Sequence, residues 1–351
     1  MTRRNTTIEG WVGVLLGLWL LGFGSCGGND GAVGADGGAL DGGGQESGGG
    51  VGGFGGGAGA DQDIGGFDIQ LVPAAPATED TPAVPAQTAL LGALLSGPVP
   101  ARTQWMVMGT EGDCQLEIPR IPFCNPACGS GSACTADGVC SPEPSPRSAG
   151  TVSLTGLVTE SGPTELTLEP QPPKQVYQLP LGVTLAYPPF APGDPVTLRA
   201  EGGEVGAFSL TAAGISPFAF TAEIPPVTDG QPIPLSWTPA SVPAGGRIHL
   251  SVDLSVHAGT KGRIECSVPD TGLASVPAAL VSALMALGTS GFPKIVATRS
   301  SVGLAGLPSG RVRLTIFSEV QRTVRIAGQI DCVDDVDCPS GQTCQPALFC
   351  R

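Results

Sequence analysis

Hydrophobic residues along this chain fall into three regimes. The first is one apolar run, residues 11–23 (WVGVLLGLWLLGF), preceded by Arg3 and Arg4 and followed by Gly24, Ser25 and Cys26. The second, residues 27–100, keeps no regular period. The third, about 148–328, is a series of short runs bounded by Gly, Pro, Asp or Asn: 151–158, 165–168, 196–200, 208–211, 218–223, 233–237, 247–256, 263–268, 294–299, 312–317 and 323–326. The clearest is RIHLSVDLSVH, where Ile248, Leu250, Val252, Leu254 and Val256 alternate with His249, Ser251, Asp253, Ser255 and His257. Period-two alternation predicts a strand with one core face and one wet face. After Ala-Gly-Thr-Lys-Gly, residues 263–268 are expected to return as a hairpin. One helix is predicted over 276–287, capped by Ser275, started near Pro277 and stopped by Gly288. The fold class these elements predict is all-β: an antiparallel β-sandwich, Ig-like or jelly-roll-like, with one short helix and small disulfide-rich units at its flanks.

The apolar run at the start has 13 residues, whereas a membrane-spanning helix needs about 20. It reads as the core of a secretory signal peptide, residues 1–25. The segment Phe23-Gly24-Ser25-Cys26 resembles a bacterial lipoprotein box, in which the Cys becomes the lipidated first residue of the mature chain. Phe23 departs from the usual Leu or Val, and the competing reading is an ordinary cleaved signal with an incidental Cys. Asn5-Thr6-Thr7 lacks the apolar pair of a twin-arginine signal, so the general export route is preferred. By the same resemblance, Gly27 after the Cys favours the outer membrane over inner-membrane retention.

Composition sharpens the second regime. Residues 27–66 contain 20 Gly and six acids (Asp30, Asp36, Asp41, Glu46, Asp61, Asp63) with no Lys or Arg. Such a stretch buries too little apolar surface to fold and reads as a tether over 26–66. Its Gly-Asp runs keep no nine-residue calcium-binding period. Residues 67–100 are rich in Pro and Ala and read as a linker, in which the apolar patch 89–95 is expected to form a helix turn docking on the domain behind it. Overall the chain has 351 residues and a formal net charge of -14, which repels polyanions and excludes nucleic acid as a natural partner. Two His exclude a multi-histidine metal site.

Beyond Cys26 there are ten cysteines: Cys114, Cys124, Cys128, Cys134, Cys140, Cys266, Cys332, Cys338, Cys344 and Cys350. An even number in an exported chain reads as disulfides. Cys128-Gly-Ser-Gly131-Ser-Ala-Cys134-x5-Cys140 matches Cys338-Pro-Ser-Gly341-Gln-Thr-Cys344-x5-Cys350 position for position, an internal repeat. It defines two cysteine-rich units, 101–147 and 329–351, around a β-sandwich domain at 148–328. Each unit carries a Gly where a tight turn needs positive φ. Zinc sites need close pairs such as C-x2-C, which are missing, so no metal is assigned. Among three connectivities for the last unit, the alternate pairing Cys332–Cys344 and Cys338–Cys350 is expected. The first unit has one Cys too many, and Cys266 is its expected partner through Cys114.

Candidate chemistry is sparse. His249 and His257 share a strand face with Asp253, but at about 3.4 Å per residue they stand roughly 27 Å apart and cannot share an ion. Asp270-Thr271-Gly272 matches the aspartic-protease triplet, but that family needs two facing carboxylates; the triplet is single here, and Pro269 interrupts the strand before it. Asp331, Asp334, Asp335 and Asp337 lack the spacing of a calcium loop and read as an acidic turn. For sugar stacking, Trp237 and the Tyr187-Pro-Pro-Phe190 patch are the candidate ligand-binding residues. No catalytic residue and no cofactor is assigned.

The lipoprotein box, the Gly/Asp tether, the CPSGQTC unit and the segments LSWTP, KGRIEC and DTG together resemble a group of myxobacterial-type secreted surface lipoproteins with cysteine-rich C-x2-G-x2-C-x5-C units. The likeness covers residues 1–40 as a type and 111–351 more closely. It implies a lipid-anchored protein of the bacterial outer membrane or cell surface, with the membrane and an envelope polymer or protein as partners. Its motifs specify location and not chemistry. The expectation is therefore a non-enzymatic binding, adhesion or envelope-structural module; the alternative is a secreted hydrolase of peptide or polysaccharide using Asp253, His257 or Asp270.

Overall fold

The computed structural model describes residues 62–75, 82–240 and 246–351. The signal run, Cys26 and nearly all of the tether lie outside the described residues. In chain order the elements begin with β1 (Asp63–Val72), β2 (Gln87–Leu95), β3 (Gln104–Glu111), β4 (Cys114–Arg120), β5 (Ser132–Ala136), β6 (Val139–Pro142) and β7 (Pro146–Arg147). There follow β8 (Val152–Thr159), β9 (Gly162–Leu168), β10 (Tyr177–Gln178), β11 (Pro195–Ala200), β12 (Phe208–Ala213) and β13 (Ile233–Ser236). The last are β14 (Arg247–Asp253), β15 (Arg263–Pro269), β16 (Leu273–Val276), α1 (Ala278–Leu287), β17 (Lys294–Leu307) and β18 (Gly310–Thr323).

The fold is all-β with one α-helix among the described residues. A large sheet runs β10-β2-β1-β18-β17-β14-β15-β4-β3, with β7 paired to β2. It is mixed and not purely antiparallel, because β1 lies parallel to β18. One end packs on a four-stranded sheet, β12-β11-β8-β9, around a core that includes Phe67, Ile69, Leu71, Leu154, Leu198 and Leu314. The other end packs on the β13–β16 pair and α1, around Trp237, Leu250, Ile264, Val281, Leu284 and Ile295. Each fully buried side chain of this size contributes about 1.5–3 kcal/mol.

The β17–β18 hairpin joins both cores. Each arm has 14 residues, about 46 Å at ~3.3 Å per residue; Ile295, Ala297 and Val320 enter one core, and Leu307, Val312 and Leu314 the other. Sequence alternation marks only the two ends of this hairpin, because the segment Ser300 to Gly306 is rich in Ser and Gly. Packing explains those residues. A Cβ on Gly303 would lie 2.3 Å from the Thr211 carbonyl oxygen, and Ser301 Oγ accepts from the Ala213 N–H at 3.0 Å. The strand is small there because β12 crosses it.

Several expectations need correction. The segment expected as linker supplies β2 and most of β1, and the patch 89–95 is a strand paired with β1, not a helix turn. Its alternating burial (Thr88, Leu90, Gly92 and Leu94 inside) overrides the helical preference of Ala and Leu. Residues 218–223 form no strand; only the Phe220–Trp237 bridge stands there. Past Thr323 the chain leaves the sheet. Ser275 belongs to β16, so α1 starts after Pro277 with no side-chain cap. Residues Val256–Ala258 form a 3-10 turn, and Asp253 and Ser255 are buried, so this end of the polar face is not wet.

Disulfides hold the two small units. Cys124–Cys134 and Cys128–Cys140 staple the first, and Cys332–Cys344 and Cys338–Cys350 the second. Aligned through the repeat, the two share one connectivity. Gly131 and Gly341 occupy the same turn with φ of 79° and 87°. Cys114 is bonded to Cys266, joining β4 to β15 across a sequence separation of 152.

Candidate functional site

Trp237 offers no face to a ligand. Its side chain is only 2% exposed, in the second core, and its Nε1 donates to Asp270 Oδ1 at 2.7 Å. Parity explains the burial, since Ile233, Leu235 and Trp237 share one face of the β13 segment. Tyr187 is half-buried against the first core, and burial raises its hydroxyl above the ordinary tyrosine range. Its neighbours Pro188 and Phe190 line a shallow cleft of about 730 Å³, with Leu157, Val158, Glu165 and Asp194. The cleft opens beside a β8 bulge at Gly156, where a Cβ would meet the Pro195 carbonyl oxygen at 2.2 Å.

The candidate acids and bases are committed to the scaffold or isolated. Asp270 lies against Arg299, whose Nε donates to Oδ2 at 2.8 Å and whose Nη2 donates to Oδ1 at 3.1 Å. Asp253 accepts from the Ser255 N–H at 2.8 Å and the Thr260 hydroxyl at 2.7 Å, closing its own loop. His257 is exposed, edge-on to Phe292 at 6.1 Å between centroids. In the acidic turn, Asp334 caps the 3-10 segment, and Asp337 is held below the usual carboxylate range by the N–H groups of Val333 and Asp334. Two groups of cysteine sulfurs lie close enough to hold a metal, Cys124/Cys128/Cys140 and Cys332/Cys338/Cys350, but all of these sulfurs are in disulfides.

A different constellation lies on the outer face of β3, β4, β15 and β14. Because Cys114 and Cys266 face the core as a register pair, the residues one position away, Gln115 and Glu265, point outward, with Glu117 opposite Arg263 two residues along. Arg263 Nε and Nη2 both donate to Glu117 Oε2 at 3.1 Å, and Nε lies 2.9 Å from Glu265 Oε1. Ser251 Oγ donates to Glu265 Oε1 at 2.8 Å, and Gln115 Nε2 donates to Glu117 Oε1 at 2.5 Å. The guanidinium is stacked over Trp105, 3.7 Å from the ring centroid. Trp105 is partly buried and is counted with neither core.

Glu265 is the buried centre of this network at 8% exposure. His249 Nε2 stands 2.7 Å from its Oε2, yet that oxygen is closed to solvent and receives no aligned hydrogen bond. Ser, His and Glu therefore meet here, but in the wrong order for nucleophilic catalysis: serine and histidine each touch the acid, whereas the base must touch the nucleophile. The arrangement can fix an aromatic ring and present planar polar groups around it. Sequence reasoning chose the other tryptophan; the available signal was parity against the cystine pair.

Fold and site together define a disulfide-stapled all-β protein with an aromatic-polar sheet face. Comparison with protein-family models finds no match, and comparison with curated proteins finds none.

Proposed function

We propose that this protein is a non-enzymatic binding or envelope-structural module, exported and held at the bacterial outer membrane or cell surface by a lipid on Cys26. The observation that carries the non-enzymatic reading is the state of Asp253, His257 and Asp270: the two acids are tied to structural donors, and the histidine touches neither. Five disulfides support export, because such bonds persist in oxidising compartments. Displayed this way, the module would meet envelope polymers or protein partners.

The test uses the full chain purified with its anchor in detergent and incubated with insoluble envelope polymers, glycans and protein substrates. Retention without soluble product is expected, and release of product overturns the reading. Labelling with radioactive palmitate, compared between wild type and Cys26→Ala, checks the anchor; equal labelling removes it.

A further inference from the structure

We propose that the outer face around Trp105 is the ligand site, and that it takes a neutral, hydroxyl-rich polymer, a polysaccharide strand. The inference rests on the binding reading above and names its site and ligand class.

Four observations converge on it. First, Trp105 lies outside both cores and is only partly buried, so part of its ring is left to solvent beside the stacked Arg263. Second, the ring is held still: Arg263 stacks on it, and Arg263 is itself fixed by Glu117 and Glu265, both nearly buried. A platform ordered before the ligand arrives loses little entropy on binding. Third, β3 is the edge strand of the large sheet, so the face is open at its side and admits a long chain without a closed pocket. Fourth, the charges select. Two carboxylates surround one guanidinium in a molecule of net charge -14, which disfavours anionic polymers.

A sugar ring suits this pattern because its C–H face is apolar and its rim carries hydroxyls. The C–H face would lie on the part of the indole that the stacked Arg263 leaves free, and the rim would meet carboxylate, amide and guanidinium groups lying around it. The cleft beside Pro188 is the competing place for a ligand, but its aromatic residue, Phe190, is 6% exposed and belongs to the first core.

The experiment measures retention of the full chain on cellulose and chitin, with dextran sulfate beads as the anionic control. Wild type is expected on a neutral polymer and not on dextran sulfate. Trp105→Ala is expected to weaken retention about tenfold or more, Trp105→Phe to keep most of it, and Pro188→Glu to leave it unchanged. An independent readout needs no variant: of the two tryptophans beyond the signal run, Trp237 is buried, so iodide should quench Trp105 selectively and chitohexaose or cellohexaose should protect it. Retention unaffected by Trp105→Ala, loss confined to Pro188→Glu, or quenching unchanged by both oligosaccharides overturns the inference while leaving the binding reading standing. Retention on dextran sulfate alone overturns the ligand class, and retention on none of the envelope materials overturns the binding reading itself.

Discussion

Arg299, from the middle of β17, binds both carboxylate oxygens of Asp270, and both side chains are almost fully buried, at 4% and 6% exposure. The same guanidinium donates to the carbonyls of Ser216, Pro217 and Thr238. Asp270 also accepts from Trp237. The carboxylate of the Asp-Thr-Gly triplet thus helps close the second core, held by Arg299 and Trp237. Removing one partner leaves a buried charge uncompensated, which costs about 3–5 kcal/mol. Arg299→Met should therefore lower the denaturant midpoint sharply. Trp237→Ala should do likewise, by about 3–5 kcal/mol from the lost core volume, and act on stability without selectively affecting retention on polymer. A variant of either kind that keeps wild-type stability would show that this junction is dispensable.

The disulfides divide by loop size. Cys114–Cys266 closes a separation of 152 residues and ties β4 to its neighbour β15 toward the β3 edge of the large sheet, whereas Cys338–Cys350 closes only 12 in a terminal unit. Cross-links over long loops restrict the unfolded chain most. The double variant Cys114→Ala/Cys266→Ala should lose about 2–5 kcal/mol of global stability, read by urea unfolding. Cys338→Ala/Cys350→Ala should leave the main transition in place and raise hydrogen exchange only within 329–351. Equal losses of global stability would contradict this division.

How much of this was legible depends on where the information sits. The strand β14, Arg247–Asp253, announces itself because alternation is local, and its hairpin return at Arg263 follows from the Gly-containing loop. Counting cysteines sends one of the first five to Cys266, because five cannot close among themselves, and the bond falls on the expected Cys114. By contrast β1 and β2 are hidden: DIGGFDIQLV follows a Gly-rich stretch, and QTALLGALL has helix-forming composition. The strand state of β1 depends on β18, far away in sequence, and that of β2 on β1, with β10 adding two register pairs at its outer side. The site suffers in the same way. Trp105 and Arg263 are separated by more than a hundred positions, and only the register of β3, β4 and β15 brings them together.

Gly92 illustrates how the hidden strand is built. It pairs with Phe67 on one side and Tyr177 on the other, and those rings pack together with centroids 5.2 Å apart. A Cβ on Gly92 would lie 2.3 Å from the Phe67 ring, which is fully buried. Tyr177 cannot yield easily, since its hydroxyl accepts from the Ala149 N–H at 2.7 Å and donates to the Gly150 carbonyl at 3.1 Å. Gly92→Ala should therefore destabilise by about 1–3 kcal/mol through overpacking, measured by thermal unfolding. A neutral or stabilising result would mean that Phe67 has room to move.

Asp68 gives the pH test. It lies on the outer face of β1, and burial raises its carboxyl above the ordinary 3.8, against the opposing pull of Arg313 and the hydrogen bond from Thr315; the nearby Asp63 adds to the rise. Desolvation therefore outweighs attraction in the folded state. The sign follows from proton binding. Between 3.8 and the raised folded value, the folded chain holds more protons than the unfolded chain, so stability from this group falls as pH rises through that window. Below 3.8 the group is protonated in both states and the penalty is gone. Asp68→Asn keeps an oxygen to accept from Thr315 but cannot ionise. It should melt higher than wild type at pH 7, with the gap closing as pH is lowered toward 3.8, as followed by calorimetry between pH 3 and 8. Should the variant melt lower at pH 7, the attraction of Arg313 outweighs burial and the assigned cause is reversed.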